Sequence, residues 1–411
     1  MKKLPECDRE AQRFLALKTR QSGAGRRLDI VLIVTLLSVI GVFSVLFWAL
    51  PDRTKSETEN RELMQMPRLT VKSFVEGEFA SDVASYMADQ FPGRDFFIHL
   101  KALAEAAQGK LGNNDVIFGK NGTLISREDF PNTENLQKNL HSFSVFAAYY
   151  ETQNVPVTVA VAGRTADVLD GALPAFYGSE YSDRLWYSLE EYAAAESLDV
   201  LNLRDPLRAR AQNGEYVYYR TDHHWTTLGA YYGYCEILRA MGEQPYALDS
   251  FTRENASDTF YGTTWSKAGA SWIAPDTMEY FRFAGDDGYR TEILDTGRVI
   301  EGFYDTEYLS HKDKYSSFIG GNNALVKVTK NDAAYRKTLL VVKDSFAHAA
   351  APFLARHYNL VIVDIRYYKK STAALLTEYG VDRVLLLYGI DSLTSSTSSR
   401  MLEAGIPSAT Q

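Results

Sequence analysis

The sequence predicts a three-layer α/β domain on a parallel sheet, preceded by one N-terminal transmembrane helix. Three observations lead there. Ile30 to Leu50 is an uncharged apolar run of about 20 residues, the length that crosses the hydrocarbon core of a bilayer. From Asn135 onward, short β-branched runs alternate with amphipathic stretches, as in strands joined by crossover helices. With 411 residues, 45% hydrophobic and 23% charged, the chain can supply one large or two modest globular bodies beside an anchor.

Residues 1–29 read as a short basic tail, with Lys2, Lys3, Arg9, Arg13, Lys18, Arg20, Arg26 and Arg27 against four acids. Beyond the run the charges are mixed, so the positive-inside bias puts the N-terminus in the cytoplasm and residues 71–411 outside. Trp48 marks the outer interface and Pro51 closes the helix. A cleaved signal peptide would have a shorter apolar region and a small-x-small site, which does not follow Leu50. A buried core helix would be amphipathic, and this run is apolar all round.

Residues 51–70 are polar and read as a juxtamembrane stalk. Val71 to Met87 has helical periodicity, Pro92-Gly93 make a turn, and a second helix follows through Ala106. Asn113 to Ile125 alternates around Asn121-Gly122 as a short hairpin. Helices are then expected over Asn135–Glu151, Ser182–Ser197, Ala347–His357 and Thr372–Tyr379. Strands are expected over Val155–Gly163, Asp199–Leu203, Lys337–Lys343, Asn359–Ile365 and Val381–Tyr388. Residues 245–320 lack a clear period, being rich in Gly, Thr, Ser and aromatics, and read as an irregular or β-rich insertion.

A net charge of −8 argues against nucleic acid as a partner. Aromatics reach 13%, with 26 tyrosines, whose flat faces suit stacking on sugars and equally suit an ordinary tyrosine-rich surface. The two cysteines, Cys7 and Cys235, fall on opposite sides of the apolar run and cannot pair across a membrane. An outer domain of this length can stand on its core without disulfides.

Tyr219-Arg220-Thr221-Asp222-His223-His224-Trp225 precedes a helix capped by Thr226 or Thr227. In an extended approach Asp222 and His224 project to one side and His223 to the other. A carboxylate beside an imidazole fixes its tautomer and stabilises the imidazolium, as a general base requires. Ser345 is the candidate nucleophile, because it follows the apolar strand LLVV and Lys343-Asp344 and precedes a helix. Sites gather at such strand ends, and the serine's own N–H can face an oxyanion. An Asp or Ser before a helix also serves simply as a cap. Asp222, His223 and His224 are metal-ligand types as well, but no further ligand sits at helical spacing and His311, His348 and His357 are isolated, so neither metal nor cofactor is expected.

The string Asp222-His223-His224-Trp225 resembles the name-giving motif of the DHHW protein family of Gram-positive bacteria. ENRELMQMPRLT (Glu59–Thr70), DQFPGRD (Asp89–Asp95), NNDVIFGKNGTLI (Asn113–Ile125), FIGGNNALVKV (Phe318–Val328), KDSFAHAAAPFLARHY (Lys343–Tyr358) and VDIRYY (Val363–Tyr368) resemble that family's other recurring segments. That family is similar to the SGNH-like domains of alginate O-acetyltransferase accessory proteins. The resemblance implies an SGNH-hydrolase-like sheet with a permuted triad, in which Asp222 orients, His224 is the base and Ser345 attacks. Lys343 stands where the family's Gly-Asp-Ser signature has glycine. The resemblance also implies an oxyanion hole, for which Gly321 and Asn322 are the pair to name, although a tight turn into Ala324–Val328 suits them equally. Arg366 and Tyr367, just past a strand end, line the cleft or are a surface cation and a packed aromatic.

The implied function is acyl chemistry on O-acetyl groups of a cell-surface polysaccharide, by transfer or by hydrolysis. The implied partner is a multi-spanning membrane-bound O-acyltransferase. The alternative is a non-catalytic polysaccharide-binding or assembly protein with a decayed site, a reading that Lys343 favours.

Overall fold

The computed structural model describes residues 6–56, 61–127, 131–175, 177–178, 180–331 and 335–406. They fall into two compact units, one over 6–56 and 61–97 and the other from Ile98 onward.

In the first unit, helix α1 (Glu6–Ala49) continues the apolar run without a break into the expected tail. Its Gly25–Ala49 part is long and apolar enough to cross a membrane, with mean hydropathy 2.9 and none of it buried. The expected 71–87 helix is split, because Gly77 takes φ +78 between Val71–Val75 and helix α2 (Glu78–Asp89). The described part of the expected stalk, 51–56 and 61–70, does not run free. Asp89 of α2 accepts two hydrogen bonds from the Arg61 guanidinium, at 2.8 and 2.5 Å, and a third from the Met64 N–H at 2.9 Å. Tyr86 donates to Asp52, and Gln90 bonds the backbone of Arg53 and Met64. The stretch therefore straps onto α2, and 71–97 belong with α1 rather than with the large domain. Arg61 and the Met64 N–H outweigh burial and hold the Asp89 carboxyl down at about 2.

The second unit is built on an eight-stranded sheet. In chain order its strands are β1 (Val157–Ala162), β2 (Val200–Asn202), β3 (Tyr289–Ile293), β4 (Arg298–Glu301), β5 (Leu325–Lys330), β6 (Thr338–Lys343), β7 (Asn359–Val363) and β8 (Val381–Gly389). They lie in the order β4-β3-β5-β7-β6-β8-β1-β2. The five strands from β7 to β2 are parallel. β5, β3 and β4 add antiparallel neighbours at the other edge, so the sheet is mixed rather than purely parallel. A link as short as Leu294–Gly297 can close only an antiparallel pair, with Gly297 at φ +73 in the turn. The expected insertion is thereby partly absorbed, since β3 and β4 are strands of the main sheet. The rest of it includes an antiparallel pair, Thr252–Phe260 with Asp276–Arg282.

The parallel strands are apolar on both faces, and successive residues serve opposite layers. Leu339, Val341, Leu360, Ile362, Leu385 and Leu387 pack with α5 (Thr227–Ala240) and α6 (Ala347–Ala355), numbered after α3 (Thr133–Thr152) and α4 (Glu180–Ala195). Leu340, Val342, Val361, Val363, Val384 and Leu386 pack on the other face with Leu136, Leu140 and Phe143 of α3 and Trp186 of α4. Three layers follow directly from this two-faced burial. The expected hairpin at 113–125 is a three-stranded meander of Gly112–Asn113, Val116–Phe118 and Leu124–Ser126. β6, β7, β8 and β1 end at one side of the sheet, followed there by Asp344, Asp364, Ile390 and Gly163.

Asp89→Ala removes the acceptor that the strap shares. Limited chymotrypsin digestion of this variant should cut within 63–69 faster than in wild type, while the sheet unit keeps its resistance. Equal cleavage would mean that Asp89 does not hold the strap.

Candidate active site

The DHHW loop begins at a narrow neck. Tyr218 and Trp225 form an antiparallel bridge, and the Tyr219 N–H donates to the His224 carbonyl at 3.2 Å. Residues 220–224 therefore bend rather than extend. Asp276, fully buried, holds the leading side: it accepts from the Thr221 N–H at 2.8 Å, the Thr221 hydroxyl at 2.6 Å and Arg220 at 3.1 Å. On the trailing side Thr226 caps α5, its hydroxyl accepting from the Gly229 N–H at 3.1 Å.

Within this loop the Asp222 carboxylate accepts four hydrogen bonds. One oxygen takes the His224 Nδ1–H at 2.5 Å and the His224 backbone N–H at 3.0 Å. The other takes the Thr263 N–H at 2.7 Å and the Thr263 hydroxyl at 3.0 Å. Burial raises the carboxyl's pKa, but His223, His224 and these hydrogen bonds outweigh it and hold the group far below the usual range. With Nδ1–H committed to Asp222, His224 presents a bare Nε2, which accepts from the Ser345 hydroxyl at 2.7 Å. Asp222, His224 and Ser345 thus form one continuous chain, although 121 residues separate the histidine from the serine.

Ser345 sits where β6 gives way to α6, and it is half-buried while Asp222 and His224 are almost wholly covered. Its turn is held from both sides. Asp344 accepts from the Phe346 N–H at 3.0 Å, the Gly389 N–H at 2.7 Å and the Ser392 hydroxyl at 2.6 Å. Trp225 Nε1–H donates to the Phe346 carbonyl at 3.0 Å, tying the histidine loop to the serine loop. Among the described residues the Ser345 N–H makes no hydrogen bond within the chain, which leaves it to a ligand.

Lys343 does not obstruct this turn. Its side chain is buried, with Nζ 3.0 Å from Asp364 and donating to His348 Nε2 at 2.8 Å. Asp364 also receives Arg366 at 2.8 and 2.6 Å.

Two sequence expectations change. His223 does not face away: its ring centroid lies 3.8 Å from that of His224, and its Nδ1–H donates to the Thr263 hydroxyl at 2.8 Å. The bent loop, unlike an extended strand, does not alternate its side chains. The Gly321 N–H is not open to an oxyanion, because it donates to the Phe318 carbonyl at 3.1 Å. Gly321 has φ +80, and a Cβ there would meet Ser316 Oγ at 2.6 Å, so the glycine serves the turn. Asn322 is exposed, its carbonyl oxygen accepting from Arg366 at 3.2 Å. Arg366 is thereby a brace between Asp364 and Asn322, and after burial and nearer charges it also helps to keep His223 and His348 neutral. Tyr367 is half-exposed beside Arg366, with 5.5 Å between the guanidinium and its ring. Among the described residues neither Asn322 nor Tyr367 bonds to the triad.

Several residues around the triad gave no signal in the sequence. Thr263 follows Gly262, where a Cβ would overlap the Asp222 carboxylate. Tyr315 stacks on the His224 ring, with 4.0 Å between centroids and planes within 8°. Thr263, Asp276 and Tyr315 all come from the stretch expected to be an insertion, whose lack of period hid them. Ligand atoms of Asp222, His223 and His224 do lie within 4.8 Å of one another. Both ring nitrogens of His224 are engaged, however, so a cation bound there would have to displace Asp222 or Ser345.

Gly262→Ala should push the Asp222 carboxylate aside, lower the rate of any reaction at Ser345 by about 100-fold and lower Tm as well, because the added Cβ would overlap Asp222. Unaltered kinetics would show that the Asp222 position does not matter. Burial, then Lys343, keeps His348 neutral in the fold, its pKa well below the ordinary value. The unfolded chain takes up that proton near pH 6.5, so stability falls as pH drops below about 6.5. His348→Gln keeps an acceptor for Lys343 and should make the fall in Tm between pH 7 and 5 shallower. An unchanged slope would contradict this.

Residues 205–364 match the family model described as DHHW protein, and residues 116–280 match that of the SGNH hydrolase-like domain, acetyltransferase AlgX. Three solved structures share the fold. A DHHW family protein from Eubacterium siraeum is 22% identical, covers 70% of this chain and 98% of its own, and superposes with TM-score 0.52. Bacillus cereus PatB1 is 20% identical over 68% of this chain and 97% of its own, with TM-score 0.57. PatB1 with a sulfonyl adduct is 20% identical over 69% and 98%, with TM-score 0.54. No curated protein matches the chain. The chain is similar to the DHHW proteins over the stretch that carries its motif, and its fold is that of an SGNH hydrolase-like domain.

Proposed function

We propose that this protein is a membrane-anchored Ser-His-Asp acyltransferase or esterase acting on O-acetyl groups of a cell-surface polysaccharide. The observation that carries the reading is the hydrogen-bond chain from Asp222 through His224 to the Ser345 hydroxyl, at 2.5 and 2.7 Å. Similarity to a domain described as that of the acetyltransferase AlgX supports the choice of acyl group.

Ser345 Oγ attacks the carbonyl of an acyl donor while its proton passes to His224 Nε2. Asp222 stabilises the imidazolium that results. The Ser345 N–H, which makes no hydrogen bond among the described residues, receives the oxyanion in this reading. Collapse breaks the ester bond, and the leaving oxygen takes the proton from His224. A sugar hydroxyl or water then attacks the acyl-serine, giving its proton to His224, which returns it to Ser345 Oγ as the bond between that oxygen and the acyl carbon breaks. Transfer and hydrolysis differ only in that second acceptor.

The Gly25–Ala49 segment supplies the anchor, and the basic residues before it put the domain on the outer side, where a polymer can reach it. A membrane-bound O-acyltransferase delivering the acyl group is the partner in this reading. The non-catalytic alternative drew on Lys343 in place of glycine. That lysine is committed to Asp364 and His348, and Ser345 keeps its bond to His224.

Purified wild type should release p-nitrophenol from p-nitrophenyl acetate. Ser345→Ala should lose this activity by about 10³-fold or more. Cells carrying Ser345→Ala should show altered O-acetyl content in their envelope polysaccharides. Equal ester hydrolysis by the two proteins, with unchanged envelope acetylation, would remove the catalytic reading.

A further inference from the structure

The unit that contains α1 carries apolar surface well beyond the helix. Met66, Leu69, Val71, Phe74 and Val75 are 54 to 85% exposed, and they follow one another within ten residues. Water-facing helices do not concentrate large apolar side chains in this way, and such a patch marks an interaction surface.

Met66 of the patch lines a cavity beside α1, and the residues around the end of α2 show the level at which this unit packs on that helix. The Phe91 ring stacks on Phe43, with centroids 5.1 Å apart and planes within 15°, and Phe97 meets Phe43 edge-on at 5.7 Å. Tyr86 packs edge-on against Phe47 at 5.7 Å. Phe43 stands six residues before the end of α1 at Ala49, about 9 Å down its axis at 1.5 Å per residue. The turn after α2 therefore lies beside the apolar span, not above its end. Between α1 and α2 an apolar cavity of about 610 Å³ opens among Val39, Phe43, Phe47, Met66, Val83 and Met87. Two polar groups at this level are satisfied internally: Asp89 by Arg61 and the Met64 N–H, and the Tyr86 hydroxyl by Asp52. That is what low-dielectric surroundings demand.

We propose that residues 63–97 form a collar sunk into the lipid leaflet around the Ala49 end of α1. Phe74 and its apolar neighbours lie among the acyl chains, and one chain fills the cavity beside Phe43. The inference rests on the anchoring part of the proposed function and adds a second hold on the same leaflet. Interfacial segments of this kind bury an apolar face about 5–10 Å deep, in keeping with the level of Phe91.

Full-length protein with Cys7→Ser, whose Cys235 is buried, is given a single bimane-labelled cysteine by Trp48→Cys, Phe74→Cys or Ser81→Cys. Each is reconstituted into phosphatidylcholine nanodiscs with ordinary or brominated acyl chains. Bimane at 48 and 74 should lose most of its emission in brominated lipid, while bimane at 81, on the polar face of α2, should keep it. Quenching at 48 but not at 74 would overturn the collar and leave the anchor standing. Quenching at 74 alone would support the lipid contact and overturn the anchor, and quenching at neither would remove both.

Discussion

Asp222 is 2% exposed, and a carboxylate withdrawn that far from water stays charged only where hydrogen bonds replace its hydration. Four do so, and each fixes a different piece of the site. The bond from His224 Nδ1–H sets the imidazole tautomer and its direction, and the bond from its backbone N–H holds the bend of the loop. The two from Thr263 draw the 260–264 stretch against the loop, so close that only glycine fits at position 262. Removing this one charge would leave a histidine without orientation and two loops without a shared acceptor.

The sheet explains how a serine 121 residues away meets that histidine. β6 is central and apolar on both faces, so its C-terminal end is a fixed point, and Ser345 follows two residues later. The histidine loop is pinned to the same point by Trp225, whose indole N–H spans to the Phe346 carbonyl and is worth about 1 kcal/mol as a neutral hydrogen bond. Trp225 is itself seated against Gly233, where a Cβ would approach its ring to 2.7 Å. The tryptophan of the motif is thus a strut, while the aspartate and second histidine carry the charge relationship.

The five parallel strands, α3 to α6 and the apolar span were legible because each follows from a local pattern, whereas β3 and β4 fell in the stretch read as an insertion. β-branched runs with alternate burial gave the strands, and an Asp-x-His pair before a helix cap gave the motif. What local pattern could not give was the geometry of irregular backbone. His223 was misplaced because the loop bends at a neck closed by Tyr218 and Trp225. The Gly321 N–H closes a turn on Phe318, a tertiary detail that its residue type does not signal. Thr263, Asp276 and Tyr315 act only through tertiary contact, from a stretch where strand, turn and short helix succeed one another too quickly for a period. Lys343 illustrates the converse: its departure from glycine reads as damage in one dimension, and as half of a buried ion pair with Asp364 in three.

The account turns on whether Ser345 becomes acylated with His224 as its base. The direct measurement is intact-protein and peptide mass spectrometry after brief mixing with p-nitrophenyl acetate and an acid quench. A single acetyl group on the peptide containing Ser345, lost in His224→Ala, is the result predicted. Acetylation confined to other residues, or equal acetylation of Ser345 with and without His224, would contradict it.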